Sequence, residues 1–556
     1  MRAHLPEQGR PAGALTPARP LRPSGESAGR RLRGGFEPLV VAAFALGVLV
    51  PFWGKPYHMD EPFFLAIARH VLRDPRHPLS FAFNWYGTAA PMASINNTPP
   101  LLGYALALAW RLTGGAEWLM RLALCPLDVA AALGVYGVAA RFLRKPLLPT
   151  LVVVAGPAWM INLNHLMAEK LMAAFAFPAL YALVRGVEDE DRRWYWGSAV
   201  LAALAIFSKY NAAFLLAPAT LYAWGRLRDR RPILAYWVIA LAPAALYVLS
   251  TGALSVALGT TGEASRQFWH SWAHEKRSLL AFIGGCAVAA TPWPWFIWDR
   301  RAGLRAAAVV LTAATVLFLP AFDLAPLVRA VDRVTGLLLA AGALASVAAL
   351  LGDRRRRGWA LWSSWLLGVT LLQLAYWSIM TRFILFLTPP LILGLAERLE
   401  DARDSSRALY LGSLAATLAL STALSLVDLT YARAQKELAQ WTLESYPGRK
   451  LWCVPHWGLQ QYLEAAGAEE MDFKHGGWSR VKAGDVVVLS KVNSNVQPPA
   501  KPLRALARLI PVDQPIPLRL ISGWTGEGGF YANVTGFLPY SLSREPLELF
   551  TVLEIQ

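Results

Sequence analysis

The chain has 556 residues, 55% of them hydrophobic and only 16% charged, with a formal net charge of +17. Soluble domains carry about a quarter charged residues, so this balance and a mean hydropathy of +0.36 exclude an ordinary water-soluble enzyme and point to a multi-pass membrane protein. The Lys and Arg residues fall in short clusters between apolar runs, which is how membrane orientation is set, so no nucleic-acid partner is expected.

Residues 1–35 are rich in Arg, Pro, Gly and Ser and read as a disordered basic cytoplasmic tail. The apolar run 36–53 lacks a small-residue cleavage site and reads as an uncleaved first span. Apolar runs then recur to about residue 427. Basic clusters such as "RFLRK" (141–145), "GRLRDRR" (225–231) and "DRRRR" (353–357) all belong on the cytoplasmic side, so each neighbouring pair must be separated by an even number of crossings. That parity turns the short segment 99–112, with its two prolines and Arg111, into a helix lying at the outer interface. Residues 54–118 become one large outer loop.

The spans expected after it are 119–140, 147–162, 170–185, 195–208, 211–225, 233–251, 279–298, 306–322, 327–351, 359–378, 382–396 and 408–427. With the first run they make a multi-pass α-helical membrane domain (36–427) of about thirteen transmembrane helices. Residues 428–556 break the pattern. "GDVVVLS" (484–490) reads as a strand after a turn and "WGLQQYLEAAGA" as an amphipathic helix ending near Gly467. This region is expected to be a C-terminal extracytoplasmic α/β domain. The three cysteines are too few and scattered for a disulfide framework or a zinc site.

The chemistry-bearing residues gather at the outer ends of the spans. "HMDE" (58–61) places Asp60 and Glu61 side by side, next to His58. Adjacent carboxylates there are either solvated charges and helix caps or a general base able to take a proton from an attacking hydroxyl. "NLNHLMAEKLM" (162–172) adds His165, Glu169 and Lys170 at a second outer boundary, where ionisable groups are costly unless paired or used. A snorkelling Lys170 partnered by Glu169 is one reading. A Glu169 facing Asp60 across an outward cavity is the other. Lys55, Lys209 in "FSKYN" and Arg382 in "IMTRFILF" are cations that either snorkel or hold a phosphate. There is no Walker-type glycine loop and no nucleophile elbow, which argues against a nucleotide-driven engine.

"HMDEPFFLAIARHVLRDP" and "NNTPPLLGYALALAWRLTGGAEWLMRLALCPLDVAAALGVYGVAARFL" resemble the first outer loop and second span of membrane-embedded C-type glycosyltransferases (GT-C), nearest the dolichyl-phosphate-mannose protein mannosyltransferase-like and lipid A aminoarabinose transferase-like branch. "AALAIFSKYNAAFLLAPATLYA" and "TRFILFLTPPLILGLAERL" resemble later spans of the same group. The resemblance implies a GT-C-like fold and transfer of one sugar from a polyprenyl-phosphate donor to a hydroxyl acceptor (a glycolipid, polysaccharide or protein) at the outer face, usually with inversion. It implies Asp60 as general base, Glu61 in support, and Glu169 at a position that the family usually fills with aspartate. His58, His165, Lys170 and Asn97 join Lys209 and Arg382 as candidate substrate-binding groups. The family often carries a basic residue just before the interfacial "PP". Here Asn97-Thr98 stands there, so the phosphate must lean on Lys209, Arg382 or a divalent cation. No cofactor is required, and a metal held by Asp60 and Glu169 stays an open alternative. The Ala, Arg and Leu bias with the two-sided topology suggests a bacterial inner membrane. A polyprenyl-linked sugar transporter or flippase is the competing reading, since it too needs many spans with embedded charges.

Overall fold

The computed structural model describes residues 35–96, 98–251, 276–323, 330–376, 378–402, 407–454, 457–492, 496–500, 502–521 and 528–556. The expected disordered tail, Asn97 and the start of the 327–351 run lie outside them. Five helices are long and apolar enough to cross a membrane among the described residues: Glu117–Phe142, Ala168–Glu188, Arg231–Thr251, Ala330–Leu351 and Arg407–Ser445. A sixth crossing is formed if Lys276–Cys286 and Val288–Ile297, bent by 75°, count as one. The expected span 306–322 lies within the unbroken helix Arg300–Asp323, and most of the other expected spans are shorter or interrupted helices. The run 147–162 splits into Leu147–Val154 and Pro157–Asn162, because Pro157 has no N–H to continue the ladder. Residues 382–396 split into the single turn Thr381–Ile384 and the helix Thr388–Ala402.

Packing among the helices rests on small residues. A Cβ on Gly134 would lie 2.5 Å from the Pro178 backbone, so glycine is what lets Glu117–Phe142 and Ala168–Glu188 approach closely. The interior between them is a continuous apolar cluster rich in alanine, with Trp159, Phe177 and Trp365 filling the larger gaps. Residues 99–112 form the helix Leu101–Thr113, ended by Gly114 in the left-handed region. One face, with Leu102 and Leu106, is buried, while Leu108 and Leu112 remain exposed. A strand pair not foreseen from the sequence, β1 (Ala82–Asn84) and β2 (Ala89–Pro91), completes the outer loop.

The C-terminal region contains a mixed five-stranded sheet. Its strands are β3 (Leu451–Cys453), β4 (Glu469–Glu470), β5 (Val486–Ser490), β6 (Ala505–Val512) and β9 (Glu548–Ile555), ordered β4-β3-β5-β9-β6. A two-stranded ribbon, β7 (Leu518–Arg519) with β8 (Ser541–Leu542), lies outside that sheet. The strand expected at 484–490 is β5, and the helix expected to end near Gly467 is Trp457–Ala465, with Gly467 at φ +87° just past it.

This region is not a separate body on a linker. Residues 36–556 form one compact unit, and the helix expected to end at 427 runs on unbroken to Ser445. Three contacts join the sheet to the outer loop. Asn84 donates to the Met471 carbonyl (3.2 Å), the Ala89 amide to the Asp472 carboxylate (3.2 Å), and the Phe473 amide to the Gly87 carbonyl (2.9 Å). Gly458 abuts the Tyr57 carbonyl so closely that a Cβ would come within 2.2 Å.

Glu470 lies at this seam. Burial, followed by the Glu464 carboxyl beside it, pushes its carboxyl up from 4.5 to about 8. The folded state therefore holds a proton that the unfolded chain gives up. Stability is lost as pH rises from about 4.5 through about 8. Glu470→Gln is expected to raise the thermal midpoint of the detergent-solubilised protein, and by more at pH 8 than at pH 6. Equal gains at both values would show that this carboxyl does not titrate as described.

Candidate active site

Asp60 follows Met59, a buried residue held at φ +51°. That left-handed conformation is costly for a side chain larger than glycine and turns the chain sharply. Asp60 then stands at the N-cap of the helix Glu61–Val71 but makes no capping hydrogen bond. Its carboxylate instead accepts from Arg382 Nη1 at 2.8 Å and is 31% exposed. The capping reading of Asp60 is thereby set aside.

Arg382 comes from the single turn Thr381–Ile384, 322 residues further along the chain. Its Nε lies 3.4 Å from Glu169 Oε1. Glu169, in the first turn of Ala168–Glu188, is paired in turn with Lys209, which follows the end of Arg192–Ser208. The Lys209 ammonium also sits 4.8 Å from the centre of the Phe383 ring. Four chain segments thus deliver two carboxylates and two cations to one place. The charges balance, as a group this far from bulk water requires. Glu169 Oε2 is buried without a hydrogen bond among the described residues. Beside the cluster runs a narrow, mostly apolar crevice lined by residues including Met172, Asn211, Phe214, Val369, Phe383 and Phe386.

Other expected site residues sit elsewhere. Glu61 is fully buried and pairs with Arg121, outside this cluster. Its carboxylate accepts from the His58 amide (2.6 Å), the Leu166 amide (2.8 Å) and Arg121 (3.0 Å). Burial would raise its pKa, but Arg121 and then His165 outweigh it and hold the carboxyl at about 2. Glu61 is a staple between the 54–61 loop and the 164–166 loop. Lys170 is not the partner of Glu169. Adjacent residues on a helix point about 100° apart, and Lys170 turns inward to a bidentate pair with Asp128 at 2.5 and 2.7 Å. Lys55 does not reach the opening either and donates to Asp428 at 2.6 Å.

His58 and His165 are completely buried behind the opening. Burial pushes His58 down to about 3, against the pull of Asp428. Both rings belong to a polar layer with Lys55, Asp428 and Tyr531. Asp128, Arg121 and Asp428 were not singled out from the sequence, although an ionisable residue inside an apolar helix is a readable signal. Tyr531 carries no such signal.

In this arrangement the Arg382 guanidinium bridges Asp60 and Glu169, the two carboxylates considered as holders of a divalent cation. Among the described residues no three His, Cys, Asp or Glu side chains converge as an ion-binding group.

A membrane-embedded helical chain with a paired acid–base cluster beneath an outer loop is the class that this geometry defines. Residues 97–253 match the model of the dolichyl-phosphate-mannose-protein mannosyltransferase family. That stretch includes Glu169 and Lys209 and stops short of Asp60 and Arg382. The resemblance to the dolichyl-phosphate-mannose protein mannosyltransferase-like group is thus borne out over that stretch. No curated protein sequence matches the chain. Among solved structures, ArnT from Cupriavidus metallidurans in the apo state is similar at 16% identity and a TM-score of 0.37, over 81% of this chain and 92% of that one. The same protein bound to undecaprenyl phosphate gives 17% and 0.36, with the same coverage. The arabinofuranosyltransferase AftD from Mycobacteria gives 16% and 0.39, over 77% of this chain and 31% of that one.

Arg121 is the test of the staple. Besides Glu61, it donates to the carbonyls of Asn164, Lys55 and Trp53. Arg121→Leu strands a buried carboxylate and is expected to destabilise the protein by about 3–5 kcal/mol, read as a lowered thermal midpoint. The double variant Arg121→Leu/Glu61→Gln should recover part of that loss. An unchanged midpoint in the single variant would remove the staple assignment.

Proposed function

We propose that this protein is an inverting glycosyltransferase that moves a sugar from a polyprenyl-phosphate donor to a hydroxyl acceptor at the outer face of a bacterial cytoplasmic membrane. The observation that carries the reading is the Asp60–Arg382–Glu169–Lys209 cluster beside an apolar crevice. The match to a family named for a dolichyl-phosphate-mannose donor supports it. The apolar lining of the crevice marks the side from which a prenyl tail would approach, and the cations suit the phosphate at its head.

In this reading the acceptor oxygen attacks the anomeric carbon from the face opposite the phosphate. The bond from that carbon to the phosphate oxygen breaks, and the phosphate leaves with the electron pair. Asp60, the exposed carboxylate, takes the acceptor's proton. Lys209 and Arg382 stabilise the charge gathering on the leaving phosphate, so no general acid is needed. In the free protein Arg382 neutralises Asp60. A donor phosphate offers Arg382 a second anion, and its shift toward that anion would leave Asp60 free to accept a proton. Glu169 keeps Lys209 and Arg382 in place, and its unpaired Oε2 suits a sugar hydroxyl. The charge pattern of the loops supports an extracytoplasmic outer loop and C-terminal region. No step is routed through a metal. The nature of the acceptor is left to the assay: glycolipid, polysaccharide or protein.

Asp60→Asn is expected to lower transfer by about 10²–10⁴-fold while donor binding persists, measured by mass spectrometry of surface glycans from a complemented deletion strain and by turnover of purified protein. Retained turnover would reject Asp60 as the base. Movement of lipid-linked sugar across sealed vesicles with no new glycosidic bond would instead establish a transporter.

A further inference from the structure

The polar groups just before Arg382 are held by the C-terminal region. Asn533 Oδ1 accepts from Ser378 Oγ (2.8 Å) and from the Ile379 amide (2.9 Å). The Asn533 amide donates to the Ile379 carbonyl (2.9 Å), and its Nδ2 donates to Ser278 Oγ (3.0 Å). Two residues on, the Thr381 amide and hydroxyl both donate to the Phe530 carbonyl, at 3.1 and 2.8 Å. Thr381 is the residue before Arg382.

The same four-residue stretch reaches the Asp60 side. The Tyr531 hydroxyl donates to Asp428, whose other oxygen accepts from Lys55. The Tyr531 ring stands edge-on to His58 and His165, at centroid distances of 5.9 and 5.7 Å. His58 lies two residues before Asp60, and His165 four before Glu169. All of these groups are buried apart from Tyr531, which is nearly so.

We infer that Phe530–Asn533 is a clamp that positions the reacting cluster, with Asn533 acting through Arg382 and Tyr531 acting through the His58–Asp60 loop. This rests on the glycosyltransferase reading for its consequence, but the placement of Arg382 by Asn533 does not need it. Asn533 is a positioning residue that touches no reacting atom. Its amide side chain matches both an N–H and an O–H donor on one segment, so a hydrophobic substitute loses both and leaves them buried. A small displacement of a guanidinium aimed at a phosphate is costly, because both the hydrogen-bond angle and the charge separation enter.

The experiment uses the full chain in detergent micelles with two readouts. The first is the rate at which phenylglyoxal modifies Arg382, followed by mass spectrometry with no lipid present. Asn533→Ala should raise that rate several-fold. Thr430→Ala, which removes a contact from Gln514 to the long helix away from the cluster, should leave it unchanged. The second is binding of undecaprenyl phosphate. Asn533→Ala should weaken it about tenfold or more, and Asn533→Ala/Arg382→Ala should be no weaker than Arg382→Ala alone. A merely structural role predicts that the two losses add. Ser378→Ala, a milder change that removes one donor to Asn533, should shift both readouts in the same direction. An unchanged phenylglyoxal rate in both Asn533→Ala and Ser378→Ala, or additive losses in the double variant, would overturn the clamp. If the unsubstituted protein and Arg382→Ala both ignore undecaprenyl phosphate, the donor assignment fails, and the arginine reactivity alone still decides the clamp.

Discussion

Arg382 stands between two carboxylates, and the arrangement of the protein follows from the need to keep such charges paired where water is scarce. In a low-dielectric setting an isolated ion is expensive, and a pair with good geometry is tolerable. Five embedded carboxylates are therefore matched by cations from other parts of the chain: Asp60 and Glu169 by Arg382, Glu169 by Lys209, Asp128 by Lys170, Asp428 by Lys55, and Glu61 by Arg121. These pairs tie together helices that would otherwise meet only through alanine-rich apolar faces. They also fix which charges are free to do chemistry, since a fully buried carboxylate with three donors, such as Glu61, is already engaged and out of a substrate's reach.

The two neighbouring carboxylates of the outer loop illustrate how location divides labour between like groups. Asp60 is partly exposed and pairs with Arg382. Glu61 looks in and joins two loops. The left-handed Met59 makes the division possible, because it turns the chain so that successive side chains diverge across the boundary between the interior and the opening.

Much of the architecture is readable from hydrophobic pattern and turn chemistry. Gly484 ahead of three valines gives β5, Gly467 ends the Trp457–Ala465 helix, and the prolines before residue 101 start the short outer helix. The depth of Glu169 and the isolation of Lys209 and Arg382 in apolar surroundings mark them as costly residues with a purpose. Their mutual partners are harder to read. Lys170 is next to Glu169 in sequence, yet helical geometry sends the two to different sides, and the acid that Lys170 meets lies 42 residues earlier. Hydropathy also cannot show that the last apolar helix continues for eighteen residues past its apolar end, because an amphipathic extension packed on a sheet has a polar face. Contacts from Phe530–Asn533 leave no local imprint, as backbone carbonyls and a single asparagine are found in any loop.

The long helix Arg407–Ser445 has 39 residues. At about 1.5 Å per residue it extends about 58 Å, nearly twice the roughly 30 Å hydrocarbon thickness of a bilayer. It acts as a mast: its foot is embedded, Asp428 sits partway up, and the β-sheet is moored near the top. Any tilt or twist of the outer cap is therefore geared to the buried layer behind Asp60, without slack for the cap to swing as an independent body.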